Sequence, residues 1–209
     1  LPGPELIVIG GSAGGMKAVR GIFGILTDIG DSVVVVVLHR PPAYSPLAAV
    51  LQTYTDLPVL EPDDSPWNCP PGTVVVAPAG YQLLLGRQRC LSEVPPTPIT
   101  PYEPRPGVRA HLTLDPPVAY SRPSIDVTFV STVDLTSPVT AVLLSCANDD
   151  GAAGCEAVKA AGGRVVLQDP VTCEAGAAVT AALRRVTPDH IADPPGIGRW
   201  LAEAVRRRS

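Results

Sequence analysis

The sequence predicts an α/β fold: a doubly wound, mostly parallel sheet with helices on both faces and an antiparallel hairpin insertion. Three observations predict it. Short, largely apolar runs bounded by turn residues recur at Leu6–Ile9, Ser32–Leu38, Val139–Leu144 and Arg164–Gln168, which suits strands buried on both faces. Between them lie stretches with apolar residues at helical spacing, beginning with Met16, Val19, Ile22, Phe23 and Leu26. The first strand also runs directly into a glycine turn, Gly10-Gly11-Ser12-Ala13-Gly14, that opens the first helix.

Composition narrows the class. A chain of 209 residues with 45% hydrophobic and 17% charged residues has enough apolar surface for one substantial core, read as one domain over 1–209. A net charge of −4 argues against a nucleic-acid surface, which needs a basic face. The cluster Arg206-Arg207-Arg208 is read as a solvated helix end. No apolar run approaches membrane-spanning length, so no membrane insertion is expected. The five cysteines (Cys69, Cys90, Cys146, Cys155, Cys173) show no C-x-x-C spacing, and the three histidines (His39, His111, His190) no H-E-x-x-H. Neither a disulfide framework nor a metal site is expected, and free thiols suit a cytoplasmic location. The first residue is Leu1 rather than Met, and the start is read as a fragment boundary.

The remaining elements follow in order. Ser45-Pro46 supplies an N-cap and a first-turn proline for a helix carrying Leu47, Val50, Leu51 and Tyr54. Leu57–Leu60 is a short strand, Pro62–Gly72 a turn-rich connection, and Thr73–Ala77 another strand. Tyr81–Leu85 and Arg89–Val94 flank Gly86-Arg-Gln and read as a hairpin. Proline dominates Pro95–Pro117, which leaves room for an edge strand around Arg109–Leu114. Ser124 is the expected N-cap of a helix turning Ile125, Phe129, Val130 and Val133 inward. Further helices are expected at Ala152–Ala161, ended by Gly162-Gly163, and at Ala175–Arg185 and Ile197–Arg206.

The glycine turn matches G-x-S-x-G, in which a serine sits on a strained strand-to-helix turn beside free helix N–H groups. A phosphate-binding turn uses the same elements, so a nucleotide-binding reading stands beside a nucleophilic Ser12. The dinucleotide fingerprint is not met, because Ser12 stands at its second glycine; Arg40 sustains an NADP reading. His39 ends the second strand, as a base or as an ordinary strand-end histidine. Asp150 follows a strand and precedes a helix, as a site carboxylate or, like Asp149, as a helix cap. Ser12, His39 and Asp150 each end a different parallel strand, and such ends line one rim of an open sheet. Serine needs a base, and imidazole needs a carboxylate to fix its tautomer, so the residue types suit nucleophilic catalysis.

Nearly end to end, the chain resembles the catalytic domain of the CheB-type chemotaxis receptor methylesterases, or protein-glutamate methylesterases. The matching residues are Ile9-Gly-Gly-Ser-Ala-Gly-Gly15, His39 followed by Arg-Pro, Val76-Ala-Pro-Ala-Gly80, Arg122-Pro-Ser-Ile-Asp126, Asp150-Gly-Ala-Ala-Gly154 and Gln168-Asp. The resemblance implies a Ser12–His39–Asp150 triad, with the N–H groups of Ala13 and Ala147 as oxyanion donors. It implies hydrolysis of glutamate methyl esters on the cytoplasmic helices of methylated chemoreceptors, with release of methanol, glutamine deamidation alongside and no cofactor. It further implies a catalytic domain without a receiver domain in this chain. Departures from the family's pattern are Ala13 for Thr, Ser145-Cys-Ala-Asn148 for T-G-M-G, Gly176-Ala-Ala178 for G-M-P, and Gln82 for His. They leave a second expectation open, a catalytically altered binding or signalling module, or a nucleotide-binding domain, on the same scaffold.

Overall fold

The structure, a computed structural model, describes residues 5–43, 45–87 and 107–207. The elements in chain order are β1 (Leu6–Gly11), α1 (Gly15–Phe23), β2 (Val33–Leu38), α2 (Leu47–Gln52), β3 (Val59–Leu60), β4 (Trp67–Cys69), β5 (Thr73–Val76), β6 (Gln82–Arg87) and β7 (Val108–Thr113). Then come α3 (Ile125–Ser131), β8 (Val139–Leu143), α4 (Ala152–Ala160), β9 (Arg164–Gln168), a 3-10 turn (Pro170–Thr172), α5 (Ala177–Leu183), β10 (His190–Ala192) and α6 (Pro194–Arg206). Seven parallel strands form one sheet in the order β10-β9-β8-β1-β2-β5-β3, and β4-β7-β6 form a small antiparallel sheet. The expected doubly wound architecture is present, with β1 at its centre.

Alternation along the strands divides the core. Ile7, Ile9, Val34 and Val36 pack with Val19, Ile22 and Phe23 of α1, Leu51 of α2, and Ile197 and Leu201 of α6. Leu6, Val8, Val33, Val35 and Val37 face the other way, onto Ile125 and Phe129 of α3, Val158 of α4, Val179 of α5 and Leu83 and Leu85 of the small sheet. Both residue sets of β1 and β2 are buried, which is why these strands read as unbroken apolar runs rather than alternating ones. Each such valine contributes about 1.5–3 kcal/mol over leaving it exposed. On this second face α3 lies close against β1, where a Cβ on Gly10 would stand 2.3 Å from Ile125 Cγ2.

Several local expectations are corrected. β6 pairs with β7, Gln82 opposite Thr113 through Arg87 opposite Val108, so the strand continues through Gly86, where a loop was expected. The run Arg89–Val94 lies outside the described residues. β7 is the middle strand of its sheet rather than an edge, because β4, inside the turn-rich segment, pairs along its other side. Pro46, not Ser45, occupies the N-cap of α2, without a side-chain hydrogen bond. Val50 and Val130 point outward enough to be exposed. The last helix starts at Pro194, three residues before the apolar stripe, since Asp193 caps it and accepts from Gly196 N at 2.8 Å.

Candidate active site

The site grows from the topological switch at β1, whose neighbours β2 and β8 lie on opposite sides of it. Open α/β sheets bind ligands at such a point, beyond the carboxyl ends of the strands. The turn after β1 is fastened to both neighbours: His39 N donates to Gly11 O at 3.1 Å, and Ser12 N donates to Ser145 O at 2.9 Å. Gly14, at φ 78°, takes the left-handed conformation that starts α1, and Gly15 N closes the turn onto Ser12 O at 2.8 Å. Ser12 is half-buried, and its hydroxyl makes no hydrogen bond among the described residues. Ser145 is held in turn by Gln168, whose Oε1 accepts from Ser145 N at 2.9 Å.

Asp150 is fully buried and every lone-pair direction of its carboxylate is used. Oδ1 accepts from Ser124 Oγ at 2.8 Å and Asp126 N at 2.9 Å; Oδ2 accepts from Ile125 N at 2.8 Å and lies 2.7 Å from His39 Nε2. The carboxylate therefore caps α3, not α4. Free first-turn N–H groups and the helix dipole stabilise a negative charge there. Burial pushes the Asp150 carboxyl up, but the His39, Asp126, Ile125 and Ser124 hydrogen bonds outweigh it and hold it below the usual range. Ser124 also accepts from Val127 N at 3.3 Å, as the expected cap does. Its own N–H donates to Gln82 Oε1 at 2.9 Å, and Gln82 Nε2 donates to Pro116 O at 3.0 Å.

His39 is therefore gripped by one nitrogen. With Nε2–H donated to Asp150, the neutral ring keeps its lone pair on Nδ1. Burial pulls the imidazole pKa down, yet the Asp150 hydrogen bond, with Cys146 and the Asp150 charge behind it, pushes it up to about 9. Nδ1 lies 4.0 Å from Cys146 Sγ. The thiol donates to Asn148 Oδ1 at 3.0 Å, which also accepts from Asp150 N at 3.3 Å. Asn148 Nδ2 donates to Ala119 O at 2.9 Å. That carbonyl belongs to a tight turn in which Ala119 and Tyr120 sit at φ 48° and 64°, a conformation costing about 1–2 kcal/mol per non-glycine residue.

Ala13 and Ala147 are exposed, and neither backbone N–H has an acceptor among the described residues. Beside this loop, rather than over Ser12, lies a cavity of about 570 Å³ lined by Asp149, Gly176, Thr180, Arg184 and Arg185. Arg40 Nη2 forms a part-buried ion pair with Glu61, so a carboxylate already engages the guanidinium on which an NADP reading depends. Among the described residues, no group of three His, Cys, Asp or Glu side chains is placed to hold a metal ion, and no helix is long and apolar enough to cross a membrane. Sequence reasoning did not assign Gln82, Asn148 and Gln168 as supports of the site; the motif Gln168-Asp and the departures at Gln82 and Asn148 were the available signals.

Known proteins are similar to this chain over most of its length. A Nocardioides protein-glutamate methylesterase/protein-glutamine glutaminase is 34% identical over 197 residues, covering 90% of this chain and 48% of the relative. The chain thus spans about half the length of that relative. A Leptospira interrogans relative is 29% identical over 189 residues, with 90% of this chain and 88% of the relative covered. The crystal structure of the Thermotoga maritima CheB methylesterase catalytic domain superposes with a TM-score of 0.83 at 27% identity, over 98% of this chain and 100% of that one. A sequence pattern described as CheB methylesterase matches residues 7–201, and on that breadth of agreement the chain belongs to the CheB methylesterase family.

Proposed function

We propose that residues 1–209 form the catalytic domain of a serine esterase that hydrolyses glutamate methyl esters on chemoreceptor-like proteins, in the cytoplasm and without a cofactor. The observation that carries the reading is the His39 Nε2–Asp150 Oδ2 contact of 2.7 Å, built on the α3 N-terminus and joined by backbone to the Ser12 turn. Ser12 Oγ attacks the ester carbonyl while His39 Nδ1, the nitrogen not committed to Asp150, takes its proton. The tetrahedral intermediate places its oxyanion on the N–H groups of Ala13 and Ala147; losing one such donor costs about 3–4 kcal/mol. Because those donors are backbone groups, alanine in place of threonine or methionine leaves them present. The imidazolium returns the proton to the departing methoxide, which leaves as methanol. Water, activated by His39, then cleaves the acyl-enzyme to the glutamate carboxylate and regenerates Ser12. A glutamine amide at the same position would lose ammonia by the same steps.

The test is methanol release from a carboxyl-methylated chemoreceptor fragment by the unaltered chain and by Ser12→Ala. The expected loss is on the order of 10⁴-fold or more. Equal rates from both proteins sink the triad and favour a signalling module on the same scaffold. Labelling of Ser12 by a serine-directed sulfonyl fluoride is expected of the esterase and not of the module.

A further inference from the structure

Four exposed apolar side chains lie on the segments that flank the β6–β7 pair and lead into α3. Tyr120 is fully exposed at 103%, Leu114 is 69% exposed, and Val118 and Tyr81 are also exposed. Tyr81 precedes Gln82, which pairs with Thr113, so Tyr81 and Leu114 leave the small sheet side by side. Val118 and Ser121 exchange backbone hydrogen bonds of 3.1 and 2.8 Å, closing a two-residue turn with Ala119 and Tyr120 at its tip. Turns with two left-handed central residues favour Asn-Gly or Asp-Gly. This chain instead holds Ala-Tyr there, and the tyrosine ring lies wholly in solvent. The turn is also wired to the site: Ala119 O binds Asn148, Asn148 binds Cys146, and Cys146 faces His39.

The chemistry of the shelf is apolar, because its charged neighbours are engaged. Arg122 Nη1 donates to Leu114 O and Asp115 O at 3.0 and 3.3 Å, and the Asp115 carboxylate accepts from Thr113 Oγ1 at 2.6 Å. The next residue of the same loop, Asp149, borders the cavity that carries Arg184 and Arg185. Arg185 pairs with Glu156 at 3.0 Å, whereas Arg184 has no ion-pair partner among the described residues. The apolar shelf thus meets the Cys146–Asp150 loop at Asn148, and the cavity with Arg184 borders the same loop at Asp149.

We infer that the Tyr120 turn is the specificity element for the polypeptide that carries the ester, receiving the apolar face of an acidic amphipathic helix whose charged side meets Arg184. The inference rests on the esterase reading for the identity of the substrate. Tyr120 does not touch the reacting atoms; it holds the protein so that the esterified side chain reaches Ser12. An aromatic kept in a strained turn with no contacts of its own is explained by a contact made only in the complex.

The test uses the whole chain and Tyr120→Asn, because asparagine tolerates the left-handed region. Tm is expected to stay level or rise. The ratio of kcat/KM on the methylated receptor fragment to that on a capped glutamate methyl ester is expected to fall about 10-fold or more, nearly all in KM. Arg184→Gln is expected to lower the same ratio less and to flatten its salt dependence. A ratio within about 2-fold of the unaltered chain, or a fall confined to kcat, overturns the proposal. Calorimetric binding of the fragment to a Ser12→Ala chain separates the two readings. Weakening of that binding by an added Tyr120→Asn supports the docking role even where no ester is hydrolysed, an outcome that removes the esterase reading alone. No binding, or an unchanged Kd, overturns the docking role.

Discussion

The two sides of the His39 ring are built on opposite plans. On the Nε2 side, Asp150 accepts from Ser124, Ile125, Asp126 and His39 and sees no solvent. On the Nδ1 side the structure shows only a thiol at 4.0 Å, and the turn that follows β1 carries a half-buried serine and, at Ala13, a backbone N–H without an acceptor among the described residues. The difference teaches where rigidity is useful. Holding a buried charge requires every lone pair satisfied, because an unmet one costs the full desolvation penalty. Receiving a substrate carbonyl requires donors and a nucleophile left open until it arrives.

Breaking the closed side is expected to have the largest effect. Asp150→Ala strands the N–H groups of Ile125 and Asp126 and the Ser124 hydroxyl in the interior, and is expected to cost about 3–5 kcal/mol in urea unfolding. Asp150→Asn keeps the volume but can donate toward Nε2 and turn the ring to the wrong tautomer. It is expected to remain folded, by circular dichroism, while methanol release falls about 10⁴-fold. An asparagine variant with near-normal turnover would show that the closed side serves folding alone.

Next in size is Ser124→Ala, which removes one donor to Asp150 together with the α3 cap. About 1–2 kcal/mol of stability is expected to go, measured as a fall in the urea midpoint at unchanged slope. Adding Asp150→Asn tests the coupling: the two losses are expected to sum to more than the double variant shows, since both act on one network.

Much of this comparison could be read from residues, and its limits are physical. Ser12, His39 and Asp150 each follow a run whose burial on both faces is written in valines, isoleucines and leucines, so their common rim follows from parallel topology. The closed side was hidden because it depends on α3 settling against β1 over Gly10, a packing event with no local signature. From sequence, Asp150 looked like a cap for the helix after it; in space it caps the helix before it. The pairing of β6 with β7, across a proline-rich stretch, has no signal in adjacent residues, because it is decided by the shared core of Leu83, Leu85, Val108 and Ala110. Asn148 showed only as a departure from a family pattern, and its bond to Ala119 O is a long-range contact.

The open side is best probed by pH, where the expected changes are smallest but the sign is definite. His39 must be neutral to take the Ser12 proton, and its pKa is pushed up to about 9. Turnover at limiting substrate is therefore expected to rise with pH and level off near that value. The stabilising contribution of the same group runs the other way: it is complete below the unfolded value of about 6.5 and is lost as pH rises through the folded one. Activity and resistance to urea are expected to diverge on the alkaline side, which a pH series of both measures directly. Asp150 contributes with the opposite sign, its share present above the unfolded carboxyl value and lost as pH falls through its lowered one. Cys146 adds to the upward push on His39, after Asp150. Cys146→Ala is thus expected to move the alkaline limb to lower pH while leaving the plateau rate close to that of the unaltered chain. A limb that stays in place would assign the whole shift to Asp150 and leave the sulfur as packing alone, narrowing the working part of the open side to Ser12 and the two N–H groups.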